Sequence, residues 1–193
     1  VSRFGKAVIE EMNRLGMIVD LSHAGKQTCL DAIEVSNKPV AISHANPNFF
    51  HKSKRNIDTD ILQKLVKKNG FIGLSLYPYH LKNLGDCTIE DFCEMIKELV
   101  NLIGEDNIGI GSDLCLNWPD DVVMWMRNGK WTKNIDYGES KDKNPKWPKL
   151  PSWYKQPSDL NNLFYLMCEN NIPEKVSTKI IGQNWFNFMK NQF

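Results

Sequence analysis

Apolar residues along this chain fall into two alternating rhythms. Near-continuous runs at 17–22, 39–43, 71–76 and 107–112 have the length and β-branched content of buried strands, and each stops at polar residues. Between them, apolar residues recur at helical spacing, which marks helices with one buried face. Ser2 can cap a first helix carrying Phe4, Val8, Ile9, Met12 and Leu15 on one face, with Gly16 as its stop. A second helix is expected over about 26–36. A third begins at Asp58, with Ile61, Leu62, Leu65 and Val66 as its stripe and Asn69-Gly70 as its end. Thr88 caps a fourth, with Phe92, Met95, Ile96, Leu99 and Leu102 inward and Glu90 and Asp91 at the positive end of its dipole. Helices over 160–170 and 173–189 close the chain, the second with Val176, Ile180, Ile181, Trp185 and Phe188 inward.

Helix and strand thus alternate four times with short connections, which predicts an α/β fold with a parallel sheet. A parallel pair needs a crossover of about a dozen residues, and the spacing supplies it. The strands should end near His23, His44, Leu76 and Asp113. In such sheets the carboxyl ends of the strands form the face that carries chemistry. His23 and His44 each follow a serine at the tip of consecutive apolar runs, so two imidazoles side by side make a candidate metal site. A lone histidine at a strand end is more commonly a hydrogen-bonded structural residue; the pairing favours ligation. Asp113 either joins this chemistry or caps the segment that follows. Arg55, in a polar loop over 45–56 with Pro47 and His51, is either a surface cation or a carboxylate-binding fork. His51 and His80 read as ordinary loop residues. Tyr77 and Tyr79 either line a pocket or cover the rim.

Composition narrows the classes. The 193 residues are 41% apolar, enough to fill the core of one domain, and the formal net charge of +1 gives no pull toward nucleic acid or a membrane surface. Lysine-rich stretches at 64–68 and 141–149 are broken by acids and apolar residues and read as solvated faces. No apolar run approaches the roughly 20 residues that span a bilayer, and the first residues do not resemble a signal peptide. Five cysteines (Cys29, Cys87, Cys93, Cys115 and Cys168) form no C-x-x-C pair, which fits a reducing, cytoplasmic setting. Cys115, just past a strand end, can reach the pocket. The stretch 114–156 is rich in tryptophan and proline with little periodicity, and is expected as an irregular segment over the rim.

Four segments together resemble the membrane dipeptidase (renal dipeptidase) family of zinc peptidases in the amidohydrolase superfamily. They are MNRLGMIVDLSH over 12–23, PVAISHAN over 39–46, KRNID over 54–58 and IGIGSD over 108–113. IGQNW over 181–185 is similar to the family's ending. The resemblance implies a TIM-like (β/α)8 barrel with a two-zinc site. By resemblance His23 and His44 are the histidine ligands of the second zinc, on the fifth and sixth strands. Arg55 corresponds to the arginine that holds the substrate's terminal carboxylate, and Asp113 to the acid ending the eighth strand. Two departures stand out. Where the family commonly reads Asp-Phe-Asp-Gly, this chain has Asp113-Leu114-Cys115-Leu116, without the second acid or the glycine. The family's His-x-Asp pair, its zinc-bridging glutamate and a further active-site histidine all precede the helix that begins this chain. The sequence therefore resembles the carboxyl-terminal part of a barrel, about four parallel strands where a full barrel takes about 250 residues.

The resemblance implies a zinc-dependent dipeptidase acting on dipeptides. A metal-bound hydroxide would attack the peptide carbonyl, Asp113 would orient it or accept a proton, and Arg55 would anchor the free carboxylate. With the bridging ligand absent, the chain by itself is expected to be poorly active. The alternative is an inactive half-barrel that serves a partner chain. Unpaired sheet edges favour association, and family members often form homodimers.

Overall fold

A computed structural model describes residues 1–128 and 146–192. Ser2 caps α1 (Arg3–Arg14), its hydroxyl accepting from Gly5 N at 3.1 Å. The expected apolar face is only partly used: Ile9 is buried, whereas Phe4 is 79% and Leu15 56% exposed. α2 (Lys26–Val35), α3 (Thr59–Lys67) and α4 (Ile89–Ile103) follow the apolar stripes, and α4 is capped by Thr88 and ended by Gly104 in positive φ.

Among the described residues the sheet has three strands, β1 (Ala41–Ala45), β2 (Phe71–Leu74) and β3 (Ile108–Ile110), in the order β1-β2-β3 and all parallel. Ile42, Phe71, Ile72, Leu74 and Ile108 are essentially inaccessible, as strands covered on both faces require. Helices α2, α3 and α4 pack beside one another as the crossovers dictate.

The fourth expected strand, over 17–22, is reduced to one parallel bridge between Asp20 and Ala41. Its side-chain chemistry explains this. Ala41 N donates to Val19 O and Leu21 N to Ala41 O, so a parallel ladder begins. The next donor, Ser43 N, turns instead to the Asp20 carboxylate at 3.0 Å, and Leu21 O accepts from Ala24 N in a turn. The ladder stops where the polar site starts.

The stretch 114–156, read as irregular, contains a helix, α5 (Asp121–Asn128); Trp131 and the lysines at 141 and 143 lie outside the described residues. Trp153 anchors the far end, stacking near Phe92 and donating to Cys87 O at 2.8 Å. The closing helices are α6 (Leu160–Glu169), α7 (Glu174–Thr178) and α8 (Asn184–Lys190), the last two joined by a π-helical turn, Lys179–Gln183. Asn184 Nδ2 donates to Ile108 O at 2.8 Å and Trp185 Nε1 to Ile110 O at 2.8 Å. These two carbonyls would otherwise be bare along the β3 edge, so the last helix closes the sheet with side chains. No helix among the described residues is long and apolar enough to cross a membrane.

Candidate active site

A bulge in β1 aims the first histidine. Ile42 pairs with Ile72 and Ala45 with Leu74, so Ser43 and His44 together face the single residue Gly73. The displaced Ser43 carbonyl points at Gly73 and Gly111, where any Cβ would collide with it. Glycine at both positions is what makes room for the bulge. With Ser43 pushed inward, its hydroxyl lies 2.8 Å from His44 Nδ1 and 2.5 Å from Asp20 Oδ2.

His23 arrives differently. It sits at the third position of the Leu21–Ala24 turn with φ 66°, a left-handed conformation unusual for a residue with a side chain. Asp113, past the end of β3, is likewise held at φ 52°. Such backbone is retained where the surroundings impose it, commonly at functional sites. His23 Nε2 and His44 Nε2 face each other at 3.0 Å, their ring centroids 5.1 Å apart.

Electrostatics places the other groups around this pair. Burial, then the electrostatic influence of Arg55 and His44, lowers the His23 pKa below the ordinary imidazole value, while Asp113 and Asp20 oppose the shift. Arg55, His44 and Asp113 are thus all within electrostatic reach of one imidazole. Arg55 is half-buried in its loop, with its backbone N–H on Ser53 Oγ at 3.2 Å. Burial raises the Asp20 carboxyl, but hydrogen bonds from the Ser43 hydroxyl and from the Ser22 and Ser43 amides outweigh it and hold the group below the usual range. Burial and the nearby Asp113 charge raise the Cys115 thiol, so this half-buried cysteine is not a ready nucleophile.

His80 is a residue that the sequence reading missed. It ends a short 3-10 helix, Pro78–His80, and is 3% exposed, not an ordinary loop residue. Its Nδ1 lies 2.7 Å from Ser75 Oγ, and its carbonyl accepts from Asn46 Nδ2 and Asn56 Nδ2, each at 3.0 Å. Burial, then the electrostatic influence of Arg55 and of the His44, His23 and His51 rings, depresses its pKa to about 3, so it stands neutral beside the site. The signal for it was weak: a histidine three residues after an aromatic-proline pair, with partners 24 to 34 positions away in sequence. Tyr77 packs near both Tyr79 and His80.

Two facing imidazole nitrogens are a donor set suited to zinc. Two ligands of one tetrahedral zinc, with bonds of about 2.0–2.1 Å, sit roughly 3.3 Å apart, close to the observed spacing. Among the described residues no group of three or more His, Cys, Asp or Glu side chains could hold a metal ion. The pair fits one edge of a metal centre.

Residues 1–120 match the family model described as membrane dipeptidase, peptidase family M19. An uncharacterized dipeptidase of Schizosaccharomyces pombe is 35% identical over 115 residues, which covers 58% of this chain and 28% of that protein. An amidohydrolase from Pseudomonas aeruginosa, of known structure, superposes with a TM-score of 0.90 at 30% identity, over 100% of this chain and 57% of its own. A metallo peptidase from Rhodobacter sphaeroides, liganded with a phosphinate mimic of the dipeptide L-Ala-D-Ala, gives 0.77 at 20% identity, over 100% of this chain and 47% of its own; that likeness shows the fold alone. The chain therefore spans about a quarter to just over half the length of these proteins, and its fold is part of an α/β barrel of the amidohydrolase type. With the family model matched from residue 1 to residue 120 of 193, this chain belongs to the membrane dipeptidase family, peptidase family M19.

Proposed function

We propose that this chain carries the two-histidine, arginine and aspartate part of a zinc-dependent dipeptidase site. The observation that carries the reading is the pair of Nε2 atoms facing each other at 3.0 Å, with Arg55 and Asp113 in electrostatic reach. His23 and His44 would hold the ion through those nitrogens, and a zinc ion so bound supplies a Lewis acid and a water whose pKa falls to about 7. Arg55 binds the free carboxylate of the substrate with its planar fork, which limits the substrate to a short peptide. Asp113 accepts a proton at its carboxylate from the attacking water and returns it to the leaving amine. His80, neutral and buried, keeps Ser75 and the 77–80 turn in place beside the pair.

Two imidazoles leave zinc short of its four ligands, and in this reading polypeptide other than residues 1–193 supplies the rest. Residues 1–193 with added zinc should accordingly hydrolyse dipeptides poorly. The longest protein containing this sequence should turn over and lose at least about a hundredfold in kcat/KM on His23→Ala or His44→Ala. Full activity in either variant would sink the assignment of ligands. Strong turnover by residues 1–193 alone would sink the requirement for further ligands.

A further inference from the structure

Counting protons on the rim fixes which nitrogen of His44 is bare. Asp20 Oδ1 collects three donors, Ser22 N at 3.0 Å, Ser22 Oγ at 2.9 Å and Ser43 N at 3.0 Å. Oδ2 faces Ser43 Oγ at 2.5 Å. An ionised carboxylate only accepts, so at 2.5 Å the Ser43 hydroxyl proton points at Asp20, while the Ser22 proton goes to Asp20 Oδ1 at 2.9 Å or to Ser43 Oγ at 3.1 Å, and neither choice takes the Ser43 proton. The Ser22 oxygen accepts from His44 N at 3.1 Å. Ser43 has one hydroxyl proton and has given it to Asp20, so it can only accept at its 2.8 Å contact with His44 Nδ1. His44 Nδ1 therefore carries the ring proton, and the His44 Nε2 lone pair faces His23 Nε2 at 3.0 Å. The contact between the two rings then needs a proton from His23. Among the described residues nothing holds His23 Nδ1 in a comparable way.

We infer that Asp20 is a positioning residue which, through the Ser43 hydroxyl, locks His44 in its Nδ1–H tautomer and presents Nε2 bare, while in the metal-free chain His23 is the Nε2–H donor. The two histidines are then unequal partners: one nitrogen is fixed by the strand network, and the other ring adapts. The link to a cation rests on the function proposed above; the tautomers do not. Groups that orient metal-binding histidines typically carry 10–100-fold of metal affinity.

The test is long-range proton–nitrogen correlation spectroscopy of the 193-residue chain labelled with nitrogen-15 at histidine, without metal, at mildly alkaline pH, with His23→Ala assigning the signals. His44 should be protonated at Nδ1 and His23 at Nε2. On adding zinc alone, His23 should move its proton to Nδ1 while His44 stays as it was. Asp20→Asn should invert His44. The three donors at Oδ1 hold the amide oxygen there, so the amide nitrogen faces Ser43 Oγ, and the Ser43 proton turns to the nearer of its two remaining acceptors, His44 Nδ1 at 2.8 Å against Ser22 Oγ at 3.1 Å. His44 then becomes Nε2–H, and zinc affinity should drop by about 10–100-fold. Should Asp20→Asn fail to fold by circular dichroism, Ser43→Ala gives a second readout: it frees His44 to the mixture of tautomers found in water. Wild-type His44 protonated at Nε2, or an unchanged His44 tautomer in the folded variant, would overturn the inference. Expected tautomers in a chain that takes up no zinc would still uphold it, since residues 1–193 supply only two of the ion's ligands.

Discussion

β1 feeds two polar networks whose differences separate architecture from chemistry. Asn46, two residues past His44 and just beyond the end of β1, belongs to a closed network in which every contact ends on protein. Its Nδ2 donates to Ser75 O and His80 O, its Oδ1 accepts from Ser75 N, and its backbone N–H donates to Asn56 Oδ1. Asn46 and Ser75 are fully buried. Ser43 and His44 belong to an open network that begins on the Asp20 carboxylate and ends on the facing imidazole nitrogens of half-buried His44 and exposed His23. Closed networks fix a loop; open ones leave a lone pair for something else. Here the closed one holds the loop carrying Arg55 against the 77–80 turn, and so sets the stage for the open one.

The comparison breaks most easily at Asn46. Asn46→Ala takes the partner from the buried Ser75 carbonyl and leaves Ser75 N only a long bond to Ala45 O, at roughly 1–3 kcal/mol each, while His80 O keeps Asn56, so urea unfolding should show a loss of about 3 kcal/mol. His44→Ala, in the open network, should lose under about 1 kcal/mol by the same assay while removing the metal ligand. Equal losses would mean that the two networks are not different in kind.

Acid sharpens the contrast. His80 takes up its proton only near pH 3 when folded, against 6.5 for the free imidazole. Between those values the unfolded chain binds more protons, so stability rises with pH through this window and falls as pH drops. This one group contributes at most about 1.4 kcal/mol per pH unit. His23, also lowered, adds in the same direction. His80→Gln should flatten urea midpoints measured across the window in the metal-free chain; an unchanged slope would refute the buried neutral state.

The smallest effect belongs to a pair outside both networks. Lys26 meets Asp58 at 2.9 Å and Asp60 at 3.1 Å, with all three side chains largely in solvent. Lys26→Gln should leave the urea midpoint within error, because exposed ion pairs are screened and lose side-chain entropy. A shift comparable with that of Asn46→Ala would show that the stability ranking misses long-range electrostatics.

The helices and strands were legible because apolar period and stop residues agree along 1–113, and His23, His44 and Asp113 announced themselves by ending apolar runs. What escaped depended on contacts remote in sequence. Asp20 lies unremarked inside an apolar run, yet its partner Ser43 lies 23 residues on, and that bond is what ends the strand. His80 reads as an ordinary loop residue because nothing local shows that Asn46 and Asn56 enclose its backbone. Phe4, Val8 and Leu15 had helical spacing, but spacing says only that a face exists and not that this chain covers it. Tail packing was the hardest to foresee, since Trp153 reaches Cys87 across 66 positions.

The bulge at Ser43 and His44 has a meaning for transplantation. Regular strands send neighbours to opposite faces, and a lone Ser-His dipeptide grafted into one would split its two side chains across the sheet. The graft works only if the recipient also gives up side chains at two places on two other strands, where Gly73 and Gly111 stand here. Anyone moving this histidine into a new barrel must therefore carry three strands of sequence together, and a search for the same device elsewhere should look for paired glycines across the sheet as much as for the histidine.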